Sequence, residues 1–218
     1  MRIGFLGGTG IEGKGLALRF AASGGSVVLG SRSEERAQAA AREYNELLGS
    51  PLIRGMVNRE MLAASEIVFL TVPYEHAVPA IESCRSDFSN GQILVDVTVP
   101  MVFREGRAEY VEQEAGSNAE LLAKYVPKHV PLVAAFKTIP AHILAEREIE
   151  LNCDIFVCGD IKEAREKVME AARMIPTLRP LDAGLLRMAR TLERMTVLAV
   201  NLNRRYKKKG ARFRIEGF

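Results

Sequence analysis

Ile3-Gly4-Phe5-Leu6-Gly7-Gly8-Thr9-Gly10-Ile11-Glu12-Gly13-Lys14-Gly15 is the stretch that decides the fold. A strand-like apolar run passes through a glycine turn into the helix-like segment Leu16 to Ala22. Gly8, Gly10 and Gly13 occupy the G-x-G-x-x-G positions in the strand–turn–helix setting that a dinucleotide fingerprint requires. The first glycine permits the tight turn. The second lets backbone approach a pyrophosphate, and the third lets the helix pack on the strand. Unpaired N–H groups and the positive helix end then face the diphosphate. A glycine turn without a ligand does not explain so many small residues beside a buried strand. The expected cofactor contacts here are Gly7, Gly8, Thr9, Gly10, Ile11, Glu12 and Gly13.

Outward from this turn, Arg2 to Leu6 reads as the first strand and Ile11 to Ser23 as a helix, with Leu16, Ala17, Phe20 and Ala21 at helical spacing. Ser26 to Gly30 is a second strand, its continuous apolar run suited to a parallel strand buried on both faces. The residues after it choose the cofactor. An NAD site usually carries Asp or Glu at this strand end; here the chain reads Gly30-Ser31-Arg32-Ser33-Glu34-Glu35-Arg36. Ser31 can donate to a phosphate oxygen, and Arg32 can form a forked pair with it, joined by Arg36 one turn later. NADP is therefore expected over NAD. The bland alternative makes Ser31 only a helix cap, with Arg32 and Arg36 solvated.

Further strands are expected at Leu52–Val57, Glu66–Thr71, Gln92–Val97, Pro131–Phe136, Asp154–Val157 and Leu178–Leu181, and helices at Glu34–Leu48, Asn58–Ala64, 118–125, Lys162–Met174 and Leu185–Tyr206. Residues 213–218 alternate enough for a short edge strand. Met101 to Gly116 reads as a long loop, a candidate lid or insertion. Strands alternating with helices predict an α/β protein: a Rossmann-type, doubly wound, mainly parallel sheet with a small C-terminal extension. The expected division is an NADP-binding domain over 1–142 and a substrate-covering extension over 143–218. Ligands in such sheets sit beyond the carboxyl ends of strands. That places Thr71, Val72, Pro73 and His76, and likewise Thr98, Val99 and Pro100, near the nicotinamide.

Composition is that of an ordinary globular protein: 48% hydrophobic, 26% charged, net charge +3. No apolar run reaches the roughly 18–20 residues of a membrane span, and the chain enters a strand at once, without a signal peptide. Cys84, Cys153 and Cys158 are scattered and form no C-x-x-C, which argues against a disulfide framework or a zinc site and for a reducing cytoplasm. No metal motif, no Ser-His-Asp arrangement and no suitably spaced carboxylate pair stands out.

Several blocks, in order along nearly the whole chain, resemble the NADPH-dependent reductases of coenzyme F420, a deazaflavin. They are Met1 to Phe20, Gly30-Ser31-Arg32 with Arg36, Val72-Pro73-Tyr74-Glu75-His76-Ala77, Thr138-Ile139-Pro140-Ala141, Val157-Cys158-Gly159-Asp160 and 178–184. The family also includes a domain fused to membrane ferric reductases. The resemblance implies hydride transfer between NADP(H) and F420, a reaction that relies on ring stacking and water exclusion rather than on acid–base side chains. By position it makes Thr9, Ser31, Arg32 and Arg36 the NADP-binding set and puts Val72 and Pro73 beside the nicotinamide. It puts Lys137, Thr138, Ile139, Pro140 and Arg187 on the second-substrate side. Two departures fall there: Lys137 stands where the family has a histidine, and Leu185 to Ala189 replace a polar, serine-containing stretch. Lys137 is thus a candidate general acid or anion anchor, or simply a solvated strand-end lysine. A homodimer is expected from the resemblance.

Arg204, Arg205, Lys207, Lys208, Lys209, Arg212 and Arg214 crowd the end of the chain. A solvated helix end explains them most simply. A basic rim for the anionic tail of the deazaflavin is a sharper reading, and nucleic acid is not expected without any accompanying motif. Two further functions compete with F420 chemistry: an NADPH-dependent reductase of a flavin or another small anionic acceptor, and a non-enzymatic NADPH-sensing module.

Overall fold

The computed structural model describes residues 1–217. The chain begins with β1 (Arg2–Leu6), α1 (Ile11–Ala22), β2 (Ser26–Ser31), α2 (Glu34–Leu48), β3 (Ile53–Val57), α3 (Asn58–Ala63), β4 (Ile67–Leu70), α4 (Ala77–Ser83) and β5 (Ile93–Asp96). There follow the hairpin β6 (Met101–Arg104) and β7 (Arg107–Tyr110), then α5 (Asn118–Leu122), β8 (Leu132–Ala134) and α6 (Ala141–Ala145). β9 (Cys153–Gly159), α7 (Lys162–Met174), β10 (Leu178–Gly184) and α8 (Ala189–Arg205) complete the order. The main sheet runs β10-β9-β8-β5-β4-β1-β2-β3, with the hairpin apart from it. From β3 to β8 the pairs are parallel; β9 runs against β8, and β10 runs with β9.

The strands read as solid apolar runs because both faces of the sheet are covered: all of Ile67–Leu70 is buried. Successive residues point to opposite faces. Phe5 and Phe69 join Phe20 and Phe136 in one core, while Leu6, Leu70 and Leu94 meet Met61, Ile81 and Leu122 in the other. Phe5 and Phe69 stack with ring centroids 5.4 Å apart, and Phe136 meets Phe69 edge-on at the same distance. Such pairs add about 0.5–1.5 kcal/mol beyond their area. Arg19, buried in the last turn of α1, donates to the carbonyls of Ile143, Leu144, Glu146 and Ile149. It thereby satisfies carbonyls at the end of α6 that have no helical partner.

The structure corrects several expectations. Ser33, not Ser31, caps α2, accepting from the Arg36 N–H at 3.3 Å. Within the 101–116 stretch, residues 101–110 form a β-hairpin turned at Glu105 and Gly106, both with positive φ. The last helix begins at Ala189, after a 3-10 turn at Leu186–Met188. Residues 213–217 form no strand, and Phe218 lies outside the described residues. Instead this segment is stitched to the start of β9: the Asp154 N–H donates to the Phe213 carbonyl, and the Ile215 N–H to the Asp154 carboxylate. Residues beyond 142 add β9 and β10 to the same sheet.

Candidate functional site

The register brings Leu6, Leu70 and Asp96 level at the carboxyl ends of β1, β4 and β5. A cleft of about 580 Å³ opens above the β1 and β4 ends. Its floor and one wall are Leu6, Gly7, Thr9 and Gly10, with Thr71, Val72, Pro73 and His76 beyond them. Ser31, Arg32, Ser33, Arg36 and Asn58 form the β2–β3 side, and Pro79, Ala80 and Ser83 of α4 close the far wall.

The glycine turn fits a diphosphate on two counts. A Cβ on Gly13 would lie 2.8 Å from the Gly8 Cα, so helix–turn packing alone requires that glycine. A Cβ on Gly10 would meet nothing closer than the Thr71 carbonyl oxygen at 3.6 Å, an ordinary contact. Packing within the chain does not demand Gly10, so the space beside it stays open to a ligand. Gly10 is also the N-cap of α1 and offers no side-chain acceptor, which leaves the first-turn N–H groups to a ligand. At the other end of the cleft Arg32 and Arg36 are exposed and form no ion pair among the described residues. Two unpaired cations beside Ser31, with no carboxylate at the β2 tip, match a ribose phosphate. A buried polar atom adds to the fit: Asn58 Oδ1 has no hydrogen-bond partner.

Not every expected residue lines this cleft. Gly8 and Gly13 act as packing, and Ile11 is 71% exposed at the start of α1. Glu12 keeps some surface, yet surrounding protein desolvates its carboxyl and pushes it up to about 8. Thr98, Val99 and Pro100 follow β5, next to the cleft-lining end of β4 but outside the cleft wall. Thr138, Ile139 and Pro140 lead into α6, with Thr138 and Ile139 buried. Arg187 is exposed in the turn after β10, outside the cleft.

Lys137 departs most from expectation. Its side chain is 1% exposed, and Nζ donates to Asp96 Oδ2 at 2.6 Å and to the Thr98 carbonyl at 2.5 Å. Glu193 Oε1 of α8 lies 3.4 Å away. Burial opposes the charge, but the two carboxylates outweigh it and hold the ammonium above its ordinary pKa. Glu193 also accepts from Tyr110 Oη and from the N–H groups of Asn118 and Ala119, which caps α5. Asp96 accepts from the Thr98 N–H and hydroxyl, and Asn118 Nδ2 donates to that hydroxyl. An ammonium so engaged is a structural tie between strand ends, hairpin, α5 and α8.

The clustered cations of the chain end lie outside the cleft wall. Arg204 sits over the Phe103 ring of the hairpin, 5.2 Å from its centroid, and Arg212 donates to the Glu150 carbonyl. Sequence reasoning missed Asn58, Pro79, Ala80 and Ser83. Asn58 follows β3, where the strand-end rule would have found it. The α4 trio has only its helical spacing as a signal.

Sheet order and glycine turn define a Rossmann-type α/β protein. A solved chain from Arthrobacter sp. FB24, provisionally named an F420-dependent NADP-reductase, superposes with a TM-score of 0.81 over 98% of each chain at 21% identity. The profile described as NADP oxidoreductase, coenzyme F420-dependent, matches residues 2–100. The F420-dependent NADP reductase of Methanocaldococcus jannaschii is 34% identical over 99% of this chain and 98% of its own length. That of Methanothermobacter thermautotrophicus is 36% identical over 99% and 94%. The rat metalloreductase STEAP3 is 33% identical over 88% of this chain, which corresponds to 36% of that protein. The chain belongs to the F420-dependent NADP reductase family.

Proposed function

We infer that the protein is an oxidoreductase that moves a hydride between NADP(H) and coenzyme F420. The observation that carries this reading is the cleft itself. Gly10, which packing within the chain does not require, lies at one end and two unpaired arginines at the other, in a chain colinear with F420-dependent NADP reductases.

Bound NADPH supplies the hydride from its nicotinamide, and the deazaflavin ring receives it. The chain's own residues bind and orient. Thr9, Gly10 and the α1 start hold the diphosphate. Ser31, Arg32 and Arg36 hold the ribose phosphate, and that fixes one end of a long ligand. Val72 and Pro73 flank the reacting ring, Pro73 lying three residues beyond the end of β4 and, without an N–H, unable to resume the ladder. Fixing both rings in a dry cleft lowers the barrier without a proton-transfer group. Lys137 stays outside this scheme, as the buried tie among Asp96, Thr98 and Glu193. The segment beyond 142 covers the second-substrate side.

The test is spectroscopic. Oxidised F420 mixed with protein and NADPH loses its visible absorbance in proportion to NADPH consumed. Turnover with free flavin but not with F420 would overturn the F420 assignment, and NADPH binding without turnover on any acceptor would overturn the enzymatic one.

A homodimer is part of the same reading. Leu198 and Leu202 lie one turn apart on α8, exposed at 52% and 38%, next to exposed Tyr206. Phe103 of the hairpin, 57% exposed, extends this apolar surface through Arg204. Three unpaired buried cysteines suit a reducing cytoplasm. Among the described residues no helix is long and apolar enough to cross a membrane.

A further inference from the structure

Asn58 has the one buried side-chain polar atom among the described residues without a hydrogen-bond partner: its Oδ1. A buried amide oxygen left unpaired costs free energy, and native proteins rarely tolerate it without a reason. The residue also lines the nucleotide cleft. Its position is fixed by the sheet: Val57 pairs with Ser31 across β3 and β2, so Asn58 stands beside the residue that reads the ribose phosphate. A Cβ on Gly30 would come within 2.8 Å of this Oδ1, so the bare Gly30 backbone makes room for the amide.

We propose that Asn58 is a cofactor-reading residue that accepts a hydrogen bond from the 3′-hydroxyl of the adenosine ribose. The proposal rests on the NADP reading above. In NAD sites a carboxylate at the β2 tip accepts from the ribose hydroxyls. This chain has Ser31 and Arg32 there, neither of which supplies a carboxylate. With the 2′ position esterified in NADP, the 3′-hydroxyl remains as a donor on that sugar. A carboxylate beside it would repel the phosphate dianion. A neutral amide oxygen accepts without that repulsion; Asn58 lines the cleft, and its Oδ1, shielded from solvent beside Gly30, is still without a donor. Ser31, Arg32 and Arg36 then read the phosphate while Asn58 reads the sugar, a division of labour in which Asn58 does not discriminate NADP from NAD.

Binding titrations of the full chain with NADPH and NADH decide the matter, with thermal unfolding confirming that each variant is folded. Asn58→Ala weakens both cofactors alike, by about fivefold to tenfold, the scale of one neutral hydrogen bond. Arg32→Ala weakens NADPH alone. Asn58→Asp, nearly the same shape with a charge added, raises the NADPH dissociation constant more than tenfold and leaves NADH unchanged or tighter. The Asn58→Ala effect persists with nicotinamide hypoxanthine dinucleotide phosphate, which lacks the adenine amine. Four results would overturn the assignment: both affinities within twofold for Asn58→Ala, a loss confined to NADPH, a loss that disappears with the hypoxanthine analogue, or an Asn58→Asp variant with an unchanged cofactor preference. If Asn58→Ala does not fold, the Asp variant alone decides. Failure of the unaltered protein to bind NADPH at all sinks the NADP reading instead, so the two failures are distinguishable.

Discussion

Glu12 shows what burial does to a single side chain. It is an acid in the first turn of α1, where the positive end of a helix ordinarily favours a carboxylate. Desolvation outweighs that preference and pushes its carboxyl from 4.5 up to about 8. The folded state therefore favours the protonated form. Stability is undiminished below pH 4.5, falls as pH rises from about 4.5 to 8 while only the unfolded chain ionises, and levels off above. The Glu12→Gln variant, followed by urea midpoints across this window, is expected to lose that slope. Parallel slopes for variant and parent would mean that the carboxyl is solvated. Individual residues differed in how readily sequence alone revealed them. Gly10, Ser31 and Arg32 could be placed because each sits at a fixed offset from a strand end. Sequence alone leaves Lys137 open between a functional cation and a solvated strand-end lysine, because Asp96, its partner, lies 41 residues away and no local pattern pairs them.

Whole elements were legible in proportion to their burial. β1, β2, β4 and β5 were read from solid apolar runs that only a covered parallel sheet accommodates. The hairpin was not: Phe103, Arg104, Arg107 and Glu109 are exposed, so its polarity imitates a loop, and only Gly106 hints at the turn. The direction of β9 was hidden as well, since a connection through short α6 does not fix whether the next strand runs with or against β8. β9 is held by burial and strand pairing, whereas the hairpin and α8 are tied to the sheet by polar contacts. Lys137, Asp96 and Glu193 join the β5 and β8 ends to α8, and Tyr110 brings in the hairpin. Lys137→Met leaves two buried carboxylates without their cation. The expected loss is about 3–5 kcal/mol in urea unfolding, the range for breaking a buried pair from one side. A loss under about 1 kcal/mol would show that water reaches the cluster.

At the scale of the molecule, the homodimer proposed above uses the exposed apolar stripe of α8 as its docking face. Leu198 and Leu202 lie on one helical face, and a self-complementary patch is what a two-fold dimer needs. Glutamates in place of both leucines are expected to convert the dimer to a monomer in sedimentation equilibrium at micromolar concentration. A parent protein that is already monomeric there would remove the dimer.

The stitching of residues 213–215 to the start of β9 also bears on how the chain comes to be folded. In β1 to β5 the pairs β1–β2, β2–β3 and β4–β5 join strands adjacent in sequence, and the longer β1–β4 pairing is complete once Leu70 has been made. Asp154 waits longer. Its backbone N–H and carboxylate are met by Phe213 and Ile215, about sixty residues downstream. During synthesis the nucleotide half can settle while these partners are still inside the ribosome. The start of β9 acquires these hydrogen bonds only after residues 213–215 have been made, so their loss strikes the β9–β10 side of the sheet rather than the nucleotide cleft.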